Sequence, residues 1–225
     1  MTPVEPERGD FRTSLSPDDV ERIRLWHDRA YAEAHEEGSV ERRFDYLGVT
    51  IVVPPEVMPI TPMSHLLGDQ VRASVKAGDR VLDMGTGSGV NAVVAARGGG
   101  RVLAVDINPR ALVAASENAS RNGVADLVEV RWSDVFSDVD GAFDLIVFDP
   151  PFRWFKPRDL MESAMTDEGY EAMTRFFRQA RFRASGIATI SLMKYLKLLI
   201  LAGVRRATAS SVETILAAGT LASRF

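Results

Sequence analysis

Residues Asp149-Pro150-Pro151-Phe152 place a carboxylate, two stiff imide links and an aromatic ring at four consecutive positions. Two prolines rigidify the backbone and remove two N–H donors, which leaves carbonyl groups free to face a ligand. The preceding run, Phe143 to Phe148, is apolar and reads as a strand, so the four residues fall at its carboxyl end, where open α/β sheets bind their ligands. Arg153-Trp154-Phe155 adds a cation and two more rings, and Trp154 is a candidate substrate contact. Taken alone, the segment is equally a rigid loop. A second motif upstream decides in favour of function.

That motif is Asp83-Met84-Gly85-Thr86-Gly87-Ser88-Gly89, which follows the strand Arg80 to Asp83 and opens a helix. Glycines at Gly85, Gly87 and Gly89 permit positive φ and let backbone N–H groups approach a ligand without an intervening Cβ. About twenty residues on, Asp106 ends the next strand, where a carboxylate accepts hydrogen bonds from both hydroxyls of a ribose. The pair points to an adenosine-containing cofactor. A dinucleotide fingerprint would carry glycine or alanine at its sixth position for close packing over a pyrophosphate. Val90 stands there, which argues against NAD.

Both motifs need a framework of alternating strands and helices. Strands are expected at Arg80 to Asp83, Val102 to Asp106, Leu127 to Val130, Phe143 to Phe148 and Gly186 to Leu192. Helices are expected at Val90 to Arg97, Pro109 to Asn122 and Asp167 to Phe182. This alternation implies right-handed crossovers and a mostly parallel, twisted α/β sheet with helices on both faces. Ahead of it, Ser16-Pro17 starts an amphipathic helix carrying Val20, Ile23, His27, Ala30 and Ala34, with Gly38 as a left-handed stop. Phe44 to Val53 reads as one strand or a hairpin bent at Gly48. A proline-rich loop follows, and Thr61-Pro62 caps the next helix. Residues 1–60 are therefore expected to form an extension and residues 61–225 the main domain. Within the latter, Tyr195 to Ala202 reads as a helix, and Ala207 to Ile215 and Leu221 to Phe225 as strands. Asn108-Pro109 is a helix start, and Asn118 and Asn122 read as surface or capping residues.

Composition narrows the chemistry. With 225 residues, 46% hydrophobic and 26% charged, the chain suits one folded core with a small appendage. It has no cysteine and only three histidines (His27, His35 and His65), so no metal site is expected. The polar N-terminus lacks an apolar signal segment, and Lys194 and Lys197 interrupt the apolar stretch from Ile187 to Val204. A cytoplasmic protein without membrane contact is expected. Net charge is −4, and the basic residues after position 150 (Arg153, Lys156, Arg158, Arg175, Arg178, Arg181, Arg183) read as a solvated face, with no DNA partner expected.

The glycine turn, the Val102 to Pro109 strand end and the Asp149 to Phe152 segment together resemble class I S-adenosylmethionine methyltransferases that carry an (Asp/Asn)-Pro-Pro-aromatic motif. From about Phe44 to Arg183 the chain is most similar to their HemK-like branch, the release-factor glutamine methyltransferases. The resemblance implies that Gly85, Thr86, Gly87 and Gly89 face the methionine part of the cofactor, Asp83 meets its amino group directly or through water, and Asp106 binds its ribose. Ile107 packs on the adenine, and Asp134 and Val135 lie near the adenine amino group. It further implies catalysis by Asp149, the Pro150 carbonyl and Phe152, with Pro151 and Trp154 against the substrate. The implied activity is methyl transfer to a planar amide or amine nitrogen, including a protein glutamine side chain. An RNA base or a small-molecule amine as acceptor, and a cofactor-binding scaffold without activity, remain alternatives.

Overall fold

The computed structural model describes residues 15–61, 64–180 and 182–190. Helix α1 spans Pro17–Glu37, and the Ser16 hydroxyl accepts a hydrogen bond from the Asp19 N–H at 3.2 Å. Its inward face buries His27 and Ala34. Gly38 ends the helix, but with φ −84° and not in the left-handed region expected of it. Space is the reason for glycine there: a Cβ would lie 2.9 Å from the Ala34 carbonyl oxygen and 2.4 Å from the Met161 methyl.

The next strands form a hairpin, β1 (Arg42–Tyr46) antiparallel to β2 (Val49–Val53). Leu47 and Gly48 at its turn both have positive φ, 49° and 82°, as a two-residue turn matching strand twist requires. Val49, Ile51 and Val53 point inward, at the period of two of a strand with one covered face. Helix α2 spans Ser64–Ser74, and the Ser64 hydroxyl accepts from the Thr61 N–H at 3.2 Å.

The main sheet contains β3 (Arg80–Met84), β4 (Arg101–Asp106), β5 (Val128–Trp132), β6 (Phe143–Phe148) and β7 (Ala184–Ile190). All pairings are parallel, in the order β5-β4-β3-β6-β7. Helices α3 (Val90–Arg97), α4 (Pro109–Arg121) and α5 (Glu171–Ala180) make crossovers. Strand residues alternate between two cores. Val81, Ala104, Leu145 and Val147 join α2, α3, α4 and the hairpin. Leu82, Met84, Val105, Ile146 and Phe148 join Phe136 and Phe176 on the opposite face. Helix α5 is shorter than the expected Asp167 to Phe182, because a 3-10 turn at Glu168–Tyr170 kinks at Gly169, φ 61°. The Asp167 carboxylate then accepts the N–H groups of Ala172 and Met173, each at 2.9 Å. The segments expected at Tyr195 to Phe225 lie outside the described residues.

From β3 the chain builds outward through β4 and β5, then returns to the other side of β3 with β6 and β7. The order reverses between β3 and β6, and a crevice opens beyond their carboxyl ends.

Asn118 and Asn122 were expected at the surface or in caps, yet Asn118 is fully buried. Its Oδ1 accepts from the Val52 N–H at 2.9 Å, and its Nδ2 donates to the carbonyls of Val52 at 2.7 Å and Ser88 at 2.8 Å. Asn122 treats Thr50 likewise, accepting at 3.0 Å and donating at 2.8 Å. Four helical residues rise about 6 Å and two strand residues about 6.7 Å, so amides four apart on a helix match alternate peptides of a strand. Replacing Asn118→Ala strands three backbone groups, at about 1–3 kcal/mol for each that stays dry. Urea melts should show a loss of several kcal/mol; a change within about 0.5 kcal/mol, ordinary for a surface site, would refute this role.

Candidate active site

The glycine turn leaves β3 with Gly85, Gly87 and Gly89 at φ 65°, 55° and 79°. Each lies in the left-handed region, where a side chain is strained. Gly85 and Gly87 form the open floor of a cavity of about 380 Å³, while Gly89 has a different duty. A Cβ on Gly89 would sit 2.7 Å from the Ala115 Cα, so its glycine lets α3 start against α4.

Two acids brace this floor. Asp106 lines the cavity at the end of β4, accepting from the Gly87 N–H through one oxygen and from the Asn108 N–H through the other, both at 2.9 Å. Each carboxylate oxygen has two lone-pair sites, so capacity remains on both for two hydroxyls of a ligand. Burial raises the Asp106 pKa above the usual carboxylate value, and the N–H bonds oppose that rise. Asp83 sits behind the turn and off the cavity wall. One of its oxygens accepts from the Thr86 hydroxyl at 2.6 Å and the Ala92 N–H at 3.0 Å. Its pKa is pushed up to about 7, chiefly by burial, with Asp106 and Asp149 adding repulsion. Asp83 thus shapes the turn from behind it, bonded to Thr86 and Ala92.

Ile107 and Val135 face the cavity as apolar surfaces. The Ile107 carbonyl is held by the Trp132 indole N–H at 3.1 Å, and Val135 takes a positive φ of 54° in a loop whose hydroxyls bond its own backbone. Asp134 also lines the cavity, its two oxygens bridged by the Arg175 guanidinium at 2.8 and 2.9 Å.

Across the floor, Asp149, Pro151 and Phe152 line the same cavity, while Pro150 is buried behind them. Trp154 does not line it; it packs on Phe155, with ring centres 4.9 Å apart. Trp26 of α1 is the indole on the wall, 6.5 Å from Phe152 between ring centres. Arg153 is buried and not solvated. Its guanidinium carbon lies 4.5 Å from the Trp26 ring centre and 5.0 Å from that of Phe152. Other members of the expected solvated basic face are also engaged, Arg158 with Asp28 and Glu162 and Arg175 with Asp134. Met161, Met165 and Leu160 complete this side. Trp26, Leu160, Met161 and Met165 were not singled out as cavity walls from the sequence, and no local signal marks them; Trp26 comes in from a helix more than a hundred positions away.

Residues 60–182 match the family model described as Methyltransferase small domain. The chain belongs to this family. Curated relatives include the ribosomal protein L11 methyltransferases of Pelotomaculum thermopropionicum, 54% identical over 74 residues, and of Thermotoga neapolitana, 44% identical over 90 residues. Those matches cover 32% and 40% of this chain, and the chain spans only 24% and 32% of the two relatives. Among solved structures, the T. thermophilus 16S rRNA N2 G1207 methyltransferase, in complex with AdoMet and guanosine, superimposes with a TM-score of 0.55. It is 24% identical over 68% of this chain and 42% of that one. The M. jannaschii tRNA m1G37 methyltransferase gives 0.53 at 19% identity, covering 71% and 47%. These likenesses establish a Rossmann-like methyltransferase fold.

The residues present fit S-adenosylmethionine, the cofactor held in that rRNA methyltransferase structure. The open floor at Gly85 and Gly87, spare acceptor capacity on Asp106 and the apolar Ile107 and Val135 suit an adenosine with a charged tail. Among the described residues no helix is long and apolar enough to cross a membrane.

Asp106→Ala should weaken S-adenosylmethionine binding by about 1.5–3 kcal/mol for each charge-assisted bond lost, as read by titration calorimetry. Unchanged affinity would remove Asp106 from the site. Asp83 gives a second test. Its folded carboxyl keeps a proton up to about pH 7, whereas in the unfolded chain it releases one near 3.8. Between these values the folded state binds more protons, so this group lowers stability as pH rises. Asp83→Asn, which stays neutral, should therefore gain on wild type from pH 5 to pH 8 in urea melts; parallel pH profiles would exclude an elevated Asp83 pKa.

Proposed function

We propose that the protein is an S-adenosylmethionine-dependent N-methyltransferase acting on a planar amide or amine nitrogen. The observation that carries this reading is one shared cavity: Asp149, Pro151 and Phe152 line it opposite Gly85, Gly87 and Asp106. The cofactor supplies a methyl group already activated by its sulfonium, so the protein's task is alignment more than acid or base strength. Asp149 accepts an N–H of the acceptor, which fixes the nitrogen's orientation and offers a place for the proton the nitrogen releases. Phe152 gives the acceptor's plane a face to stack on, and its carbonyl is pinned by the Tyr170 hydroxyl at 3.1 Å. Gly85, Gly87, Asp106 and Ile107 hold the cofactor, with Asp134 and Val135 beside its adenine. The division at about residue 60 belongs to the same proposal, with the N-terminal extension walling the acceptor side.

A protein glutamine amide is one acceptor, in keeping with the resemblance to the HemK-like branch. Ribosomal protein L11 enters as a second protein acceptor through the relatives named for it. An RNA base is favoured by a separate observation: Trp26, Phe152 and the Arg153 guanidinium offer three flat faces at the mouth, and unpaired bases stack on such groups.

Incubation with methyl-labelled S-adenosylmethionine and, separately, ribosomal protein L11, a total protein fraction, ribosomal RNA, transfer RNA and a small-molecule fraction should label at least one of them. Asp149→Ala should lower that transfer by about 10²–10⁴-fold while cofactor affinity stays within about twofold. Phe152→Ala should raise the acceptor KM, and Phe152→Tyr should be tolerated. An Asp149→Ala protein that is folded, binds cofactor and transfers methyl at the wild-type rate would sink the mechanism.

A further inference from the structure

Helix α1 does more than cover the sheet edge. His27, buried at 4% exposure, lies behind the acceptor side of the cavity and bonds through both ring nitrogens, reaching one wall residue, Arg153. Its Nδ1 lies 2.9 Å from Arg153 Nη1 and its Nε2 lies 2.8 Å from Glu162 Oε1. A guanidinium only donates, so Nδ1 must present its lone pair; an ionised carboxylate only accepts, so Nε2 must carry the hydrogen. One neutral tautomer satisfies both contacts. Glu162 is itself fully buried, accepting from the Arg158 N–H at 2.5 Å and from the Arg158 Nη2 at 2.6 Å. Arg153 in turn is packed against the rings of Trp26 and Phe152.

We propose that His27 is a positioning residue for the acceptor. Through the Arg153 guanidinium, it holds Trp26 and Phe152 as adjoining walls of the cavity, and it does so only as the neutral imidazole with hydrogen on Nε2. The proposal rests on reading Phe152 as the acceptor's stacking face. Protonation would put a hydrogen on Nδ1, where it meets the Nη1 hydrogens of Arg153, donor against donor and cation against cation. The guanidinium must then move, and the two rings lose the group packed against them.

The surroundings set the direction. From the segment after β6, His27 is faced by Arg153, Arg158, Glu162 and the Phe155 ring, whose centre is 5.0 Å away. On its own helix the neighbouring titratable groups are Arg24, Asp28 and Tyr31; Asp28 pairs with Arg158, and Arg24 lies over Phe155. Burial lowers the His27 pKa below 6.5, and Arg153 and Arg158 lower it further against the opposing pull of Glu162. Neutral His27 therefore prevails at pH 7, and the clamp opens on acidification.

The test uses the full chain saturated with S-adenosylhomocysteine, with Trp132→Phe and Trp154→Phe leaving Trp26 as its sole tryptophan. Trp26 emission should show a one-proton transition with its midpoint below pH 6.5, and His27→Gln should abolish it, because glutamine offers an acceptor and a donor but does not titrate. Arg153→Met should shift the His27 titration, followed by imidazole NMR, to higher pH. With saturating labelled S-adenosylmethionine, transfer to the fraction labelled by wild type should fall about tenfold per pH unit below the midpoint, following the neutral fraction, and His27→Gln should lack this limb. A flat wild-type emission profile, or a transition that persists in His27→Gln, overturns the proposal. Label entering none of the fractions while the emission transition behaves as expected would refute the methyltransferase reading and leave the clamp standing.

Discussion

The approach of α3 to α4 at Gly89 governs much of the molecule. With no Cβ there, the Ala115 backbone comes close enough for α4 to lie along the glycine turn, and Asn118, three residues on, can reach the Ser88 carbonyl. The same amide holds Val52, so the hairpin, the helix and the cofactor turn share one buried polar node. A side chain at residue 89 would push α4 away, and both the floor of the cavity and the support of the hairpin would move with it. The cost of ordering these elements is therefore spread over a core common to residues 44–57 and to the sheet.

Charge organises the site on a second level. Asp83, Asp106 and Asp149 gather at the carboxyl ends of neighbouring strands, and their mutual repulsion adds to the burial that raises the Asp83 pKa. Such a concentration of carboxylates is unfavourable in the empty fold and becomes favourable when a cation enters. S-adenosylmethionine, with its sulfonium and ammonium groups, is a cation of that kind. The opposite side is balanced differently: there the guanidinium groups of Arg153 and Arg158 are offset by Glu162, Asp28 and aromatic faces.

The core was legible in the sequence where the signal is local. Helix Val90–Arg97 has the bounds its flanking glycines suggest, strand Phe143–Phe148 those of its apolar run, and Gly85, Gly87, Asp106, Asp149 and Phe152 converge on one cavity. What could not be read is set by distant approach. Trp154 looked like the aromatic substrate contact because it neighbours Phe152, but Trp26 occupies that wall, carried there by the His27 to Arg153 contact across 126 positions. Arg153 looked solvated because arginine usually is; the buried imidazole and two rings beside it help to make its burial tolerable. Asn118 looked like a capping residue because asparagine is a poor helix former; its partner is a strand edge that helix propensity does not reveal.

The asparagine contacts also bear on how the chain emerges during synthesis. Thr50 and Val52 are joined to their amide partners across 72 and 66 positions. At synthesis rates of about 5–20 residues per second, roughly 3–14 s separate the emergence of the hairpin from that of the helix that closes its edge. Throughout that interval two peptide groups at the outer margin of β2 face water, in the geometry that recruits a foreign strand. The outer edge of the hairpin is thus covered only once α4 has emerged, and its final structure is sealed from the C-terminal side.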